Sequence, residues 1–471
     1  MEEIIRWTAR EAVSRLRTGE VTGDELLTTL AARCEAVDKA VNALPTLCIE
    51  RARAQATAIS GGSVEARGVL AGLPVAIKDL NAVAGVRTTQ GSPIYADDVP
   101  TASDHVVSRI EAEGGVVYAK SNTPEFGAGA STFNEVFGRT RNPWNTGRSP
   151  GGSSGGAAAA LASGQAWLAQ GSDLGGSLRT PASFCGVVGL RPSPGRVPSG
   201  PSANPFGTLS VEGPMARNVG DVALFLDAMA GPHPAEPLSQ ASPPGSFRAA
   251  AETPLIPRRV AFSPDLGVTP VHPEIAAICA AAARRFEAMG AIVEEAHPDL
   301  SGAHQAFQTL RGVGYATSHA EHYAHQRDKL KPDVIWNIER GHAVTGAELA
   351  QAHRMRGRMV AETAAFFERY DVLLCPAAIV PPFGAEERTV LACGETRFET
   401  YIDWLAIVFA ITLTSAPALS LPCGFTADGL PVGLQMVGPF RGEPALLSHA
   451  AALEAELALD LGPIDPRSPP A

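Results

Sequence analysis

Two glycine-dense turns constrain this chain more than any other feature. The first is Gly151-Gly-Ser-Ser-Gly-Gly156, and the second is Gly171-Ser-Asp-Leu-Gly-Gly-Ser177. Glycine permits unusual backbone dihedrals and lets a bound molecule approach the main chain closely. Successive exposed amides in such a turn form a nest that binds an anion. A serine beside a nest favours nucleophilic chemistry, because the hydroxyl can attack while the amides hold the resulting oxyanion.

Three other interpretations of these turns are open at this stage. The simplest is a flexible Gly/Ser loop without chemistry. A phosphate-binding loop would need a Gly-Lys-[Ser/Thr] ending, which neither turn has. Residues 151–155 also fit the Gly-x-Ser-x-Gly nucleophile elbow, with Ser153 as the nucleophile. That elbow needs a preceding strand and a triad histidine, whereas residues 145–150 are turn-formers and no histidine occurs between His105 and His233.

A lysine at the end of an apolar strand offers a base for such a serine. Residues 73–77 predict a buried strand, and Lys78 follows directly. Burial disfavours the ammonium form and would lower the lysine pKa from its ordinary value of about 10.4. A neutral lysine can accept a proton. The alternative is a structural lysine that extends its amine into solvent at the strand end.

Strands and helices alternate along the chain. Capping-box spacing at Thr8–Glu11 and Thr22–Glu25 predicts the starts of two amphipathic helices. A helix over 274–289 is also predicted, with further strands at 116–119, 260–262, 292–295, 372–375 and 432–436. This pattern predicts an α/β fold, in which a mixed, mostly parallel twisted central sheet is covered by helices on both faces.

Charge, apolar runs and cysteines exclude several classes of protein. The net charge of −11 argues against nucleic acid as a partner. The uncharged stretch 404–427 is broken by threonines and prolines, so it predicts a buried helix leading into a buried strand, and no membrane partner is expected. Seven dispersed cysteines without CxxC spacing, and no visible secretory signal, predict reduced thiols in the cytoplasm.

A long, ordered set of motifs resembles the amidase signature family. The segments that carry the resemblance are 75–79, 119–126, 137–145, 151–156, 173–181, 189–192, 213–217, 416–422 and 430–438. The resemblance implies the amidase signature fold as one domain over residues 1–471. Its core would lie at about 60–230 and 410–460, with a helix-rich covering segment at about 300–400. It implies no cofactor and no metal.

The resemblance also implies a Ser-Ser-Lys catalytic triad. Ser177 would be the nucleophile, Ser153 the proton relay and Lys78 the base. In the family the relay serine follows a cis peptide bond, which here is the bond between Gly152 and Ser153.

The same resemblance assigns an oxyanion hole and its supports. The oxyanion would be held by the backbone amides of Leu174, Gly175, Gly176 and Ser177. Asp173 and Arg179 would orient the second glycine turn through hydrogen bonds and charge. Leu174 departs from the threonine that is frequent in the family, which would give the acyl pocket a larger apolar wall.

The activity implied is hydrolysis of the C–N bond of a linear carboxamide through an acyl-enzyme, an amidohydrolase of the EC 3.5.1 type. The default substrate is a small neutral or aryl amide, and the products are a carboxylate and an amine or ammonia. One alternative is the glutaminase subunit of a tRNA-dependent amidotransferase, which would require protein partners. Another is an inactive scaffold, which the intact Lys78, Ser153 and Ser177 argue against. A homodimer is compatible with the sequence, although no residue argues for it.

Several further residues could have a functional or a structural role. His319, His322 and His325 share a helical spacing and predict a solvated helix face in preference to a metal site. Cys185 sits among apolar residues and predicts a packed core thiol. The candidate pocket walls are aromatic: Phe307, Tyr315, Trp336, Tyr401 and Trp404.

Overall fold

The computed structural model describes residues 2–469. Its strands are β1 (Thr46–Leu47), β2 (Pro74–Lys78), β3 (Val116–Ser121), β4 (Phe133–Asn134), β5 (Gly138–Arg139), β6 (Leu168–Asp173), β7 (Val188–Arg191), β8 (Val211–Ala216), β9 (Arg259–Phe262), β10 (Ile292–Glu295), β11 (Val372–Pro376), β12 (Ala392–Cys393), β13 (Thr396–Arg397), β14 (Ala418–Phe425) and β15 (Pro431–Val437).

Helices alternate with these strands along the chain. They are α1 (Glu2–Arg6), α2 (Ala9–Thr18), α3 (Gly23–Val41), α4 (Ile49–Ser60), α5 (His105–Ala112), α6 (Gly155–Ala162), α7 (Arg179–Cys185), α8 (Val219–Met229), α9 (Phe247–Glu252), α10 (Pro273–Ala283), α11 (Arg285–Ala288), α12 (Ala303–Ser318), α13 (Ala320–Gln326), α14 (Pro332–Ala343), α15 (Gly346–Phe367), α16 (Ala406–Thr414) and α17 (Glu443–Leu457). The two predicted capping boxes at Thr8 and Thr22 are present at the starts of α2 and α3.

One large sheet forms the centre of the molecule. Its 11 strands lie in the order β1-β3-β2-β6-β8-β7-β14-β15-β11-β9-β10. The neighbours β3–β2, β2–β6, β11–β9 and β9–β10 are parallel. The other neighbouring pairs are antiparallel. The predicted mixed α/β sheet is confirmed, but the expected parallel majority is corrected: antiparallel pairs fill the middle of the sheet, where the β14–β15 hairpin needs only a short turn.

Helices cover both faces of this sheet. Successive side chains of a strand point to opposite faces. On β11, Val372 and Leu374 belong to one apolar cluster, while Leu373 and Cys375 belong to a second. The first cluster includes residues of α8 and α17, and the second includes residues of α12 and α16. The expectation of helices on both faces is therefore confirmed.

The sheet brings the two glycine-dense turns to one edge. Strands β2 and β6 are parallel neighbours, so their carboxyl ends lie on the same side, where α/β proteins bind ligands. Lys78 is the last residue of β2, and β6 ends at Asp173, just before the second turn. The first turn leads into α6, an alanine-rich helix that is buried on all sides.

One predicted element is confirmed and others differ. The uncharged stretch 404–427 folds as a helix, α16, followed by strand β14, as expected. The predicted helix over 274–289 is instead two helices, α10 and α11, divided at Arg284. Strand β6 was not predicted, because Gln170, Gly171 and Ser172 lack the alternating apolar pattern of a half-buried strand. Among residues 2–469, no helix combines the length and apolar character needed to cross a bilayer.

Candidate active site

The Lys78 amine lies in a buried cage of serine hydroxyls. Its Nζ donates hydrogen bonds to Ser153 Oγ at 2.7 Å, Ser154 Oγ at 2.9 Å and Ser172 Oγ at 3.1 Å. The Lys78 side chain is fully buried, so the alternative of a lysine extended into solvent is wrong. Ser154 and Ser172 were not singled out from the sequence, although both stand within the two glycine turns that were.

The electrostatic surroundings lower the pKa of this amine. Burial lowers the pKa of Lys78, and the more distant carboxylates of Glu212 and Asp173 partly offset this. Within residues 2–469 no carboxylate lies within salt-bridge distance of Nζ. Because desolvation is the largest effect, Lys78 can release its proton near neutral pH and act as a base.

Ser153 lies between the Lys78 amine and Gly127. The Gly152–Ser153 peptide bond is cis, as the resemblance implies. On the other side, a Cβ added to Gly127 would lie 3.4 Å from Ser153 Oγ. Gly127 has a positive φ of 68° and is partly exposed. A side chain at residue 127 would therefore contact the Ser153 hydroxyl and the Leu80 side chain.

Ser177 lies on the second glycine turn and is partly exposed. Its carbonyl oxygen accepts a hydrogen bond from the Ser154 amide at 3.2 Å, which ties the two turns together. Within the described chain, Ser153 Oγ and Ser177 Oγ are not hydrogen-bonded to each other. The structure thus joins Lys78 to Ser153 and places Ser177 beside them. In ligand-free enzymes such catalytic contacts are often long and shorten when substrate binds.

Of the four backbone amides expected to hold an oxyanion, one already has an acceptor within the protein. The Gly176 amide donates to Asp173 Oδ1 at 2.9 Å, so it is not free to bind an oxyanion. The amides of Leu174, Gly175 and Ser177 have no acceptor among residues 2–469, and all three residues are partly exposed. The Asp173 side chain accepts from backbone amides of the turn that follows it, those of Gly176 and Leu178. The amides of Leu174, Gly175 and Ser177 therefore remain available as donors.

Asp173 and Arg179 hold this turn from inside the protein. Arg179 donates to both Asp173 oxygens, at 3.0 and 2.9 Å, and both side chains are fully buried. Arg191 also contacts Asp173. Burial raises the pKa of Asp173, but the two guanidinium groups outweigh it and hold that pKa well below its usual range. Asp173 is therefore a permanent carboxylate that anchors the turn.

Apolar residues of α12 and α16 form one wall above the turn. A Cβ added to Gly175 would lie 2.8 Å from Phe307 Cζ. Phe307 stacks on Phe409 with ring centroids 4.3 Å apart. Leu174 packs against the same apolar cluster. This wall explains why residue 175 is glycine, because any side chain would meet the Phe307 ring.

The other predicted wall residues take different positions. Tyr315 donates to the carbonyl of Phe126 at 3.4 Å, next to Gly127. Tyr401 packs edge-on against Trp336. Trp404 is buried in the same apolar cluster as Phe307 and packs edge-on against Phe383. A cavity of about 440 Å³ is lined by Glu125, Lys331, Arg388 and their neighbours but by none of the predicted triad.

Two histidine groups lie outside this site. His319 and His322 are partly buried against the Phe126 ring, and only His325 is exposed, so a wholly solvated face is wrong.

The second group combines His105, His233 and Glu236, whose potential metal-ligand atoms lie within 4.8 Å of one another. The Glu236 carboxylate already accepts from the amides of Ser199 and Gly200. This group is therefore explained by loop bracing. The seven cysteines are unpaired, and Cys185 is a buried core thiol as predicted.

Comparison with known proteins places this geometry in context. The sequence model of the Amidase family matches residues 25–447. An acylamidase of Rhodococcus erythropolis is 36% identical over 460 residues, which cover 96% of this chain and 96% of that protein. A glutamyl-tRNA(Gln) amidotransferase subunit of Moorella thermoacetica is 36% identical over 480 residues, covering 96% and 97%. The crystal structure of a bacterial aryl acylamidase of the amidase signature enzymes superposes with a TM-score of 0.89 at 26% identity, covering 96% of each chain.

Proposed function

Because the chain belongs to the amidase signature family, which hydrolyses amide C–N bonds, we propose that it acts alone as an amidase whose nucleophile is Ser177. Ser153 relays the Ser177 proton to Lys78. The single observation that carries this proposal is the 2.7 Å hydrogen bond between the buried Lys78 amine and Ser153. The partly exposed Ser177 lies on the neighbouring glycine turn, where its carbonyl oxygen accepts from the Ser154 amide.

The mechanism follows from the positions of these groups. Neutral Lys78 accepts a proton from Ser153 as Ser153 takes one from Ser177, and Ser177 Oγ attacks the amide carbonyl. The oxyanion is held by the free amides of the second turn, each of which is worth about 3 kcal/mol in comparable sites. The proton returns through Ser153 to the leaving nitrogen. Water then hydrolyses the acyl-enzyme, with Lys78 again serving as the base.

The pocket wall supports an apolar acyl group. The Phe307 ring lies against Gly175 of the second glycine turn, and the Phe409 ring stacks on Phe307. Leu174 of the same turn packs against this apolar cluster. An aromatic or short aliphatic acyl group would pack there without leaving a polar group unpaired. We therefore propose small neutral amides, including aryl amides, as substrates. An ester with the same acyl group is expected to react as well, because its leaving group needs less protonation.

A second candidate function is the glutaminase of an amidotransferase complex. The 36% identity to a glutamyl-tRNA(Gln) amidotransferase subunit favours it. The two functions differ in their need for partners. The purified chain alone should hydrolyse a panel of aryl and aliphatic amides, while glutamine should remain intact. Glutamine hydrolysis that appears only when the other components of an amidotransferase are added, with no turnover of the other amides, would favour the second function.

A further inference from the structure

The chain segment 127–132 lies against the first glycine turn at both of its ends. At its start, a Cβ added to Gly127 would lie 3.4 Å from Ser153 Oγ. At its end, Thr132 Oγ1 donates a hydrogen bond to the Gly151 carbonyl at 2.8 Å. A displacement of this segment would therefore change the surroundings of the Ser153 hydroxyl.

Lys331, which immediately precedes α14, contacts the chain on both sides of Gly127. Its backbone amide donates to Glu125 Oε2 at 2.7 Å, and its Nζ donates to the Ala128 carbonyl at 2.6 Å. A Cβ added to Gly129 would lie 3.6 Å from the same Nζ. One residue of the covering segment therefore holds the chain before and after the glycine that lies beside the relay hydroxyl.

The Lys331 ammonium is itself fixed in place by two further contacts. The side chain is 10% exposed and forms an ion pair with Asp333 at 3.1 Å. Its Nζ lies 4.6 Å from the centre of the Phe133 ring, which is a cation–π contact. Phe133 follows the segment directly in the chain, in β4. The ammonium therefore contacts the backbone near the start of the segment and the aromatic ring just beyond its end.

The Ala128 carbonyl depends on this ammonium for its hydrogen bond. Ala128 is fully buried, and within residues 2–469 its carbonyl accepts from Lys331 Nζ alone. Another contact from the covering helices, between the Tyr315 hydroxyl and the Phe126 carbonyl, is long at 3.4 Å. A hydrogen bond from a charged donor is about twice as strong as a neutral one. Removal of the ammonium would therefore leave a buried carbonyl unpaired and release the start of the segment.

We propose that Lys331 is a positioning residue, which holds segment 127–132 against Ser153 and so keeps the relay hydroxyl aligned for proton transfer. This inference rests on the proposed role of Ser153 as proton relay. The Lys331 ammonium neither gives nor takes a proton in the reaction, and it acts through the backbone of the segment. Proton transfer is sensitive to such alignment, because a shift of about 1 Å in a catalytic group can cost about 10²-fold in rate.

The test is a double-variant cycle between Lys331 and Ser153. Lys331→Met removes the ammonium but keeps the backbone amide that donates to Glu125. The rate of Ser177 labelling by a fluorophosphonate should fall about tenfold, less than the loss for a full 1 Å shift. Lys331→Arg should restore most of this rate, because arginine keeps a charged donor. In the Ser153→Ala background, Lys331→Met should have no further effect, because both changes act on the same hydroxyl. Thermal unfolding of each variant checks the fold.

Lys329→Met is the matched control. Lys329 lines the same cavity as Lys331 but is exposed, and it makes no side-chain hydrogen bond or ion pair within the described chain. Its labelling rate should therefore match that of the unmodified chain. Equal losses from Lys331→Met with and without the Ser153 hydroxyl would overturn the proposal, because the lysine would then act by another route. An unslowed Lys331→Met chain would overturn it as well.

Lys331→Gln is a second neutral variant, in case the methionine variant does not fold. Failure of both variants to fold would overturn the proposal, because the lysine would then be needed for the fold itself. Absence of Ser177 labelling in the unmodified chain, or an unslowed Ser153→Ala variant, would instead contradict the proposed function.

Discussion

Ser153 Oγ lies 2.7 Å from Lys78 Nζ, in the shortest of the three hydrogen bonds that this amine donates. Ser154 is equally buried but directs its hydroxyl toward the Ser172 carbonyl of strand β6. Ser153 instead lies beside the partly exposed Gly127. Ser153 therefore combines the shortest hydrogen bond to the lysine with a position next to a partly exposed glycine.

This difference predicts unequal effects of three alanine variants. Ser153→Ala removes the relay and should lower kcat/KM by about 10²–10⁴-fold, the usual contribution of positioned proton transfer. Ser154→Ala and Ser172→Ala each remove a hydroxyl that contacts the lysine but leave the relay in place, and each should cost about tenfold or less. Steady-state hydrolysis of one aryl amide by all three variants makes the comparison. Equal losses in the three variants would contradict the assignment of Ser153 as the relay.

Lys78→Arg separates positive charge from basicity. Arginine retains a cation at this position but does not deprotonate in proteins. Its kcat should fall by at least about 10²-fold. In the unmodified chain, activity should rise with pH as Lys78 loses its proton, with the midpoint well below the ordinary lysine value because burial lowers its pKa. The variant should show no such limb in a pH–rate profile. A variant that keeps both the rate and the limb would show that another group is the base.

Asp173→Asn should lower the free energy of unfolding. It leaves the buried Arg179 and Arg191 without their carboxylate, and breaking a buried pair in this way costs about 3–5 kcal/mol. The folded pKa of Asp173 is depressed, so its stabilisation is present above the unfolded value of about 3.9 and is lost as pH falls through the folded pKa. Urea unfolding should therefore show the full difference at neutral pH, and a difference that grew toward acid would refute this account.

Gly175→Ala should abolish activity, because the added methyl group would clash with the Phe307 ring. The added Cβ would lie 2.8 Å from the ring, and such overpacking typically costs about 1–3 kcal/mol. The double variant Gly175→Ala/Phe307→Ala should recover part of the lost kcat, because the obstacle is removed. Gly314→Ala on the same helix as Phe307, where an added Cβ meets nothing within 4 Å, is the control and should keep full activity. No recovery in the double variant would mean that residue 175 must be glycine for another reason.

The catalytic candidates could be found in the sequence because the residues next to them along the chain indicate their chemistry. Lys78 ends an apolar strand, and Ser153 and Ser177 stand in glycine turns, so residue type and neighbours marked them as candidates, while the family resemblance assigned their roles. The convergence of these residues depends on β2 and β6 being adjacent and parallel. That adjacency was hidden, since residues 168–173 lack the apolar alternation by which a strand is recognised.

Other parts of the site depend on contacts between distant segments. Gly176 was expected to donate to the oxyanion, but the Asp173 carboxylate takes its amide. Phe307 and Trp404 were both named as wall residues from their aromatic character alone, and only the contact between Phe307 and Gly175 links one of them to the second glycine turn.

The most direct test of Ser177 as the nucleophile is to label the purified chain with a fluorophosphonate and locate the adduct by peptide mass spectrometry, with Lys78→Ala beside it. We expect one adduct, on Ser177, that forms far more slowly in the lysine variant. An adduct on Ser153, or amide turnover by a chain that takes no adduct, would contradict the proposed mechanism.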